Sequence, residues 1–369
     1  MVVDVVCVRK GLVVIMNKIL TMPGMFVVGE GEIANLARHV EKYGVPLLLV
    51  AHKDDSGRVR SDLDRAISDG AWMVEPDFSG ECTRSQIDRI RAICRKHGCK
   101  AVIGLGGGKA VDTAKTVAHE ENLPSVIVPT IASTDAPCSK LAVLYDDNHI
   151  LTEVLVFPKN PEIVIVDSSI IAKAPARFLV SGMGDAYATY FEARACIQSG
   201  ALNYNGSAST STAFAIAKEC LKILVRDSVD ALRACNSKIV TPALENIIEA
   251  NILLSGIGFE SAGLAGAHAL HNGFTALEET RSAMHGEKVA IGTIIQLMLE
   301  NSPMEEMEQT LKYYEEVGLP TTLQEIGIME VTEEKMRLVA ARSTRPQSVI
   351  HNMPFPVTED MVFEALMNL

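Results

Sequence analysis

The 369-residue chain is poor in aromatic residues, has no long apolar run and carries fewer basic than acidic side chains. No apolar stretch reaches the roughly 18 residues of a membrane helix, so no membrane partner is expected. With 34 Lys and Arg against 46 Asp and Glu, the net charge is −12, which argues against nucleic acid or an anionic membrane surface as a partner. The eight cysteines form no CxxC pair, which favours reduced thiols in a cytoplasm.

The length gives room for two domains, and 48% apolar with 22% charged residues is typical of a soluble globular protein. Residues 1–15 look like an extension placed before Met16. Their apolar pieces are interrupted by Asp4, Arg9 and Lys10, and no small-residue cleavage site follows, so they make a poor signal peptide. We expect this extension to be dispensable.

Residues 16–172 alternate apolar strand patterns with amphipathic helical patterns. Several strand patterns are solid β-branched runs, as in buried parallel strands. The alternation predicts a doubly wound α/β domain that binds a dinucleotide, with an antiparallel hairpin appended at 141–145 and 149–156. The other predicted strands are 46–51, 71–74, 100–104, 125–129 and 162–167, and the predicted helices are 31–43, 59–68, 83–97 and 109–120.

Residues 173–369 show helical patterns without strand patterns, which predicts an all-α domain. The predicted helices are 185–198, 208–225, 243–257, 287–299 and 304–317.

Three of the nine histidines lie close together in the sequence: His268, His271 and His285. Imidazoles from neighbouring helices can share a divalent metal if an oxygen ligand comes from elsewhere. Asp185 is a candidate, and the sequence around it predicts a polar, Gly-rich turn that enters a helix. The alternative is that the histidines satisfy buried backbone groups and Asp185 caps a helix. The HxxH pattern alone is weak, since it is not the HExxH of zinc proteases.

The predicted strand at 100–104 runs into Gly106, Gly107, Gly108 and Lys109. A glycine cluster between a strand and a helix lets backbone N–H groups approach a phosphate at the helix N-terminus. The cluster fits neither the Walker pattern nor the GxGxxG fingerprint, and a bare glycine turn is the alternative. Lys109 and an Asp112/Lys115 pair favour phosphate binding.

Hydroxyls and one carboxylate follow the next predicted strand, in the segment TIASTDAPCS at 130–139. Turn and cap chemistry would explain such residues on their own. Two adjacent strand ends that carry such loops nevertheless favour a cofactor crevice, because open α/β sheets bind ligands at the carboxyl ends of their strands.

Five segments in this order resemble the metal-dependent, so-called iron-containing, alcohol dehydrogenase superfamily: GxGGGKxxDxxK, PTIASTDAPCS, GMGDA, GAHALHNGF and HGEKVA. The resemblance runs from Met16 nearly to the C-terminus, and PTIASTDAPCS resembles the glycerol dehydrogenase branch in particular. It implies the superfamily fold, with an α/β dinucleotide-binding domain followed by an all-α metal-binding domain. It also implies homo-oligomers, often octamers.

The resemblance further implies which residues form the site. The metal, usually zinc, falls on Asp185, His268 and His285, and Asp135 reaches the substrate hydroxyls. His271 is expected on the cofactor side or in a proton relay. The residues implied for NAD are Gly106, Gly107, Gly108, Lys109, Asp112, Thr130, Ser133, Ser139, Leu141 and Tyr145.

One position departs from the family. His52 stands at the strand end where the family commonly has an Asp that accepts the adenosine-ribose hydroxyls. Asp54 and Asp55 follow closely and are possible substitutes.

The implied activity is the oxidation of glycerol and related vicinal diols to dihydroxyacetone-type products, by hydride transfer to NAD in a cleft between the domains. A Lewis-acidic metal would supply the acidity that an aliphatic alcohol lacks at neutral pH. Three alternatives stay open. A glycerol-1-phosphate dehydrogenase needs a cationic pocket for the phosphate, and a dehydroquinate-synthase-like cyclase needs more Lys and Arg. The third is a catalytically silent binding protein on this fold.

Overall fold

The computed structural model describes residues 4–9, 12–146 and 151–369. The described residues divide into two compact units. The α/β unit contains Met22–Ala176 and Arg233–Leu253. The helical unit contains the described residues up to Thr21 together with Arg177–Leu232 and Leu254–Leu369.

The strands of the described residues are β1 (Asp4–Arg9), β2 (Leu12–Asn17), β3 (Phe26–Gly29), β4 (Leu47–Ala51), β5 (Met73–Val74), β6 (Ala101–Gly106), β7 (Ser125–Pro129), β8 (Leu141–Tyr145), β9 (Leu151–Val156) and β10 (Ile163–Asp167). The helices are α1 (Leu36–Val40), α2 (Lys53–Arg58), α3 (Arg60–Ser68), α4 (Arg84–His97), α5 (Gly108–Glu120), α6 (Ser168–Lys173), α7 (Ala176–Ser199), α8 (Ser211–Ser237), α9 (Pro242–Glu249), α10 (Ser255–Ala262), α11 (Gly266–Phe274), α12 (His285–Leu299), α13 (Met304–Val317), α14 (Glu333–Ser343) and α15 (Glu359–Met367).

The α/β unit is built on a six-stranded parallel sheet in the order β3-β10-β7-β6-β4-β5. Every residue of β4, β6, β7 and β10 is buried, which fits their continuous apolar sequences. The chain leaves β4 for β5 at the sheet edge and then returns to β6 on the other side of β4. The order therefore switches between β4 and β6, and this is where open α/β sheets bind ligands.

One local prediction for this unit was wrong, and some of its elements were not predicted. The predicted helix at 31–43 is interrupted, because only α1 is α-helical and 3-10 turns at Glu32–Asn35 and Glu41–Tyr43 flank it. Strand β3 was not predicted; its four residues lie at the sheet edge and are only half-buried, so its apolar signal is short. The predicted hairpin is present as β8 and β9, which pair antiparallel, although residues 147–150 lie outside the described residues.

The helical unit contains, apart from the antiparallel hairpin of β1 and β2, only helices among its described residues. The predicted fold class, α/β followed by all-α, is confirmed. Helix α7 begins at Ala176, so the predicted turn before Asp185 is wrong: residues 181–184 are helical and Asp185 is not an N-cap. Helices α14 and α15 were not predicted, and the helix predicted at 243–257 contains a π-helical segment, Ala250–Leu254.

No single helix of the described residues has both the length and the hydropathy to cross a membrane. Pro242–Ala262 and Gly266–Phe274 reach those limits only when counted together, and they are bent by 104° at their junction.

Candidate active site

Three helices of the helical unit bring Asp185, His268 and His285 together. Asp185 lies in the middle of α7, His268 in the first turn of α11, and His285 is the first residue of α12. Both His268 Nε2 and His285 Nε2 lie 3.2 Å from Asp185 Oδ1. The ligand atoms of the three residues lie within 4.8 Å of one another.

This cluster fits a divalent metal. Two ligand atoms bound tetrahedrally to zinc at about 2.1 Å are about 3.4 Å apart, close to the two distances of 3.2 Å. Asp185 is 1% exposed, and its Oδ2 has no hydrogen-bond partner among the described residues. A buried carboxylate oxygen without a partner is costly unless a cation or a donor meets it. Two imidazoles and one carboxylate are a ligand set that suits zinc and leaves a coordination position open.

A second carboxylate, Glu192, contacts the same histidine from the other side. It lies seven residues after Asp185 on α7, two helical turns away, and is fully buried. Its Oε2 accepts a hydrogen bond from His268 Nδ1 at 2.6 Å. Its Oε1 accepts from the backbone N–H groups of Ala265 and His268, at 2.8 and 2.9 Å. Glu192 is not among the predicted site residues; the only signal for it in the sequence is its spacing from Asp185.

His271 lies beside the cluster and contacts one ring in it. Its Nε2 is 3.0 Å from His285 Nδ1, and its Nδ1 is 3.3 Å from Asn272 Oδ1. Burial lowers the pKa of His271 well below its ordinary value, and the charges of His285 and Lys288 lower it further. A neutral His271 can therefore accept, at its Nε2, a hydrogen bond from His285 Nδ1–H.

The carboxylates dominate the electrostatics of the other two residues. Burial lowers the pKa of His268, but the charges of Glu192 and Asp185 outweigh burial and hold it well above its ordinary value. Burial raises the pKa of Asp185, but the neighbouring His285 and His268 outweigh it, so the pKa lies below its ordinary value. Asp185 is therefore an ionised carboxylate, which is the form that binds a cation.

Glycine allows α7 and α12 to approach closely behind the cluster. A Cβ on Gly286, next to His285, would lie 1.7 Å from the backbone oxygen of Ser181. A Cβ on Gly184, next to Asp185, would lie 2.5 Å from the backbone oxygen of Gly286. Real Cβ atoms essentially never come within 3.0 Å of such an atom. The contact between Asp185 and His285 thus depends on two facing glycines.

The glycine loop of the α/β unit connects β6 to α5 at the switch point of the sheet. Gly106 has φ +144°, a backbone conformation that favours glycine. Gly107 is the N-cap of α5 and supplies no side-chain cap, so the first N–H groups of the helix are left for another acceptor. Apart from its chain neighbours and the backbone of its own helix, no described atom lies within 4 Å of a Cβ built on Gly108. These features are what an anion at a helix N-terminus requires.

The charged residues of this loop have partners within the protein. Lys109 Nζ lies 2.5 Å from Glu81 Oε1, and Tyr145 lies beside it, 6.0 Å from Nζ to the ring centre. Asp112 accepts from the backbone N–H of Val143 at 3.0 Å and pairs with Lys115 at 2.9 Å. Lys115 is 3% exposed and donates to the backbone oxygens of Ala136, Ser139 and Leu141. Asp112 and Lys115 therefore hold the 136–143 segment in place.

The second predicted cofactor loop lies next to the first. The backbone N–H of Thr130 donates to the oxygen of Gly106 at 3.1 Å, which joins the ends of β6 and β7. Thr130 and Ser139 are buried. The other residues predicted in this region are half-buried: Ser133, Asp135, Leu141 and Tyr145.

The end of β4 carries the position that departs from the family. His52 is the N-cap of α2, and its Nδ1 accepts from the backbone N–H of Asp54 at 3.3 Å. Asp54 is exposed. Asp55 turns toward the glycine loop: a Cβ on Gly106 would lie 3.1 Å from Asp55 Oδ2, and Thr130 Oγ1 lies 3.3 Å from Asp55 Oδ1. Of the two aspartates, Asp55 is the one that faces the switch point.

Residues 23–168 match the family described as iron-containing alcohol dehydrogenase. The glycerol dehydrogenase of Escherichia coli O6:H1 is 46% identical over 353 residues, which cover 95% of this chain and 96% of that protein. The glycerol dehydrogenase of Citrobacter freundii is 51% identical over 290 residues, or 79% and 80% of the two chains. The crystal structure of a probable glycerol dehydrogenase from Sinorhizobium meliloti 1021 superposes with a TM-score of 0.89 at 43% identity, covering 95% and 98%.

The chain therefore belongs to the iron-containing alcohol dehydrogenase family. Within that family, these three relatives all carry the name of a glycerol dehydrogenase.

Proposed function

We propose that this chain oxidises glycerol to dihydroxyacetone, with NAD as the hydride acceptor and one divalent metal, zinc, held by Asp185, His268 and His285. The observation that carries the proposal is the three-residue cluster, with ligand atoms within 4.8 Å of one another. It occurs in a chain that is 46% identical to a glycerol dehydrogenase over nearly its whole length.

The metal, when bound, supplies the Lewis acidity that lets a secondary hydroxyl lose its proton near neutral pH. Three protein ligands leave room for substrate, and two vicinal hydroxyls of one substrate can share that room. The site therefore favours glycerol or another 1,2-diol over a simple alcohol. His271 keeps the ring of His285 oriented by accepting its Nδ1–H, while Asp135 accepts a hydrogen bond from a remaining substrate hydroxyl.

NAD binds at the carboxyl ends of β4, β6 and β7 in this proposal. The backbone N–H groups of Gly106, Gly107 and Gly108 hold the pyrophosphate at the N-terminus of α5, with Lys109 nearby. Thr130 and Ser133 line the nicotinamide-ribose side, and Ser139, Leu141 and Tyr145 continue that wall. Asp112 contributes by fixing the backbone of β8 at Val143, since its carboxylate is engaged there.

A cytoplasmic location and a homo-oligomer, with an octamer as one possible form, belong to the same proposal. Cys82, Cys94, Cys99, Cys196 and Cys235 are buried thiols that form no disulfide, which agrees with a reducing compartment.

The test is an assay of the purified protein for formation of reduced nicotinamide. Glycerol, 1,2-propanediol, glycerol 1-phosphate and a simple secondary alcohol are compared, with NAD and with NADP. We expect the highest kcat/KM with glycerol or 1,2-propanediol and NAD, loss of turnover on exhaustive chelation, and recovery when zinc is added back. Turnover of glycerol in verified metal-free protein would contradict the metal role. If kcat/KM is highest with glycerol 1-phosphate, that compound and not glycerol is the substrate.

A further inference from the structure

Glu192 makes three hydrogen bonds that all end on one short stretch of chain. Its two oxygens accept from the N–H groups of Ala265 and His268 and from the ring of His268. Ala265 is the N-cap of α11, and it provides no side-chain cap. A single buried carboxylate on α7 thus satisfies the N–H groups of the N-cap and of His268 in the first turn of α11, and it also contacts the imidazole ring of His268.

The contact with the ring decides which nitrogen of His268 faces Asp185. An ionised carboxylate can only accept, so Nδ1 must carry a proton and donate it to Glu192 Oε2. The lone pair of the neutral ring is then on Nε2, the nitrogen 3.2 Å from Asp185 Oδ1. A ligand nitrogen must carry a lone pair to bind a metal.

We propose that Glu192 is the positioning residue of the metal site: it fixes the tautomer and the orientation of His268 so that Nε2 is available to the metal. This inference rests on the proposed function, because it needs a metal at Asp185, His268 and His285. Glu192 is not one of the three proposed ligands, and it meets His268 at Nδ1, whereas Nε2 faces Asp185. It acts through His268, and its second task is to hold the start of α11.

Glu192→Gln separates these two tasks. The amide oxygen can still accept from the two backbone N–H groups, which keeps the shape and the helix cap. The amide NH₂ then faces Nδ1, so Nδ1 must accept and the proton moves to Nε2, where it blocks a metal. We expect the zinc affinity of the purified protein to fall about 10- to 100-fold, measured by competition with a chromophoric chelator.

Two variants serve as controls. Gln296 Oε1 accepts from the N–H of Ala267 in the same first turn of α11, at 2.9 Å, so Gln296→Met removes a bond to that turn without touching His268. Glu287→Gln removes one negative charge two residues after His285, from a side chain that pairs with Arg177. Both variants can lower the melting temperature, but zinc affinity should stay near that of the unaltered chain.

The outcomes are distinct. The inference is overturned if Glu192→Gln binds zinc as tightly as the unaltered chain, or if Gln296→Met and Glu287→Gln lose as much zinc affinity as Glu192→Gln. In either case the proposed function still stands if the unaltered chain binds zinc and oxidises glycerol. An unaltered chain that binds no zinc would overturn both.

The unaltered protein offers a test if Glu192→Gln fails to fold. After loading with Co²⁺, the ring N–H proton of a ligated histidine gives a paramagnetically shifted NMR signal. The proton of His268 donates to a fully buried carboxylate, so its signal should persist after transfer to D₂O. The ring of His285 is 33% exposed, and its proton should exchange faster. Loss of every such signal on transfer would refute the assignment of Nδ1–H to Glu192.

Discussion

Replacing Gly286 by alanine tests whether the close crossing of α7 and α12 builds the metal site. The added Cβ would lie 1.7 Å from the backbone oxygen of Ser181, whereas real contacts of this kind do not fall below 3.0 Å. The Cβ is fixed to the backbone of α12 and the oxygen belongs to the backbone of α7, so neither atom can rotate out of the way. The helices must therefore separate locally by about 1.3 Å, the difference between these two distances. His285 is adjacent to Gly286 and moves with it, away from Asp185.

Two opposing effects set the change in stability. Alanine in place of glycine inside a helix stabilises by about 0.5–1 kcal/mol, because the unfolded chain loses less freedom. Overpacking costs about 1–3 kcal/mol, and a clash between two backbones lies at the upper end of that range. The clash dominates, so we expect Gly286→Ala to lower the free energy of unfolding. Metal sites tolerate displacements of about 0.5 Å, so zinc affinity should fall at least about tenfold, or about 1.4 kcal/mol.

The assays are zinc titration against a chromophoric chelator and thermal unfolding of the metal-free protein. The matched control is Gly57→Ala. Gly57 lies within α2, and apart from its chain neighbours and the backbone of that helix no described atom lies within 4 Å of a Cβ placed there. That substitution should leave zinc affinity unchanged and should not lower the melting temperature. If Gly286→Ala binds zinc as tightly as the unaltered chain, the close approach of α7 and α12 at Gly286 does not position His285, and the reasoning is wrong.

The other predictions concern a metal ligand and cofactor choice. Elemental analysis should find no bound zinc in His285→Ala, because that substitution removes the nitrogen 3.2 Å from Asp185 Oδ1. His271→Ala should retain zinc. The reverse result would exchange the roles of the two histidines. His52→Asp should widen the NAD/NADP ratio of kcat/KM about tenfold, since a carboxylate at this strand end accepts hydrogen bonds from the ribose hydroxyls and repels the extra phosphate of NADP. If the ratio does not change, the preference for NAD over NADP is set by Asp55, which faces Gly106. Asp55→Asn should then narrow the NAD/NADP ratio.

Local patterns in the sequence were sufficient for the elements that dominate the core. Strands β4, β6, β7 and β10 read as solid apolar runs because buried parallel strands have no face in water. Helix α13 was predicted to the residue, because its apolar positions recur at helical spacing and Gly318 ends it. The short edge strand β3 was missed, since half-buried residues at an edge need few apolar side chains.

The sequence also singled out Asp185, His268 and His285, which the structure brings together, but it chose these three only through the order of its motifs. Spacing on its own left a helix cap as an alternative for Asp185, and the assumed turn before it does not exist. Glycines usually mark turns, yet Gly184 lies inside a helix because its missing side chain lets α12 pass. The backbone that passes Gly184 is that of Gly286, more than a hundred positions later, so no local sequence pattern could predict the contact.

Tertiary structure alone decided the surroundings of the chemistry. Glu192 and His268 are 76 residues apart, and only the packing of α7 against α11 places one carboxylate on both the ring and the helix start. Likewise, the sequence shows Asp112 and Lys115 beside a predicted phosphate loop, and only the structure shows that both contact the backbone of the 136–143 segment. Sequence determines which chemical groups are available and which elements carry them. The partner that each group meets depends on contacts between distant segments, because burial leaves a charged group no alternative to the polar atom packed against it.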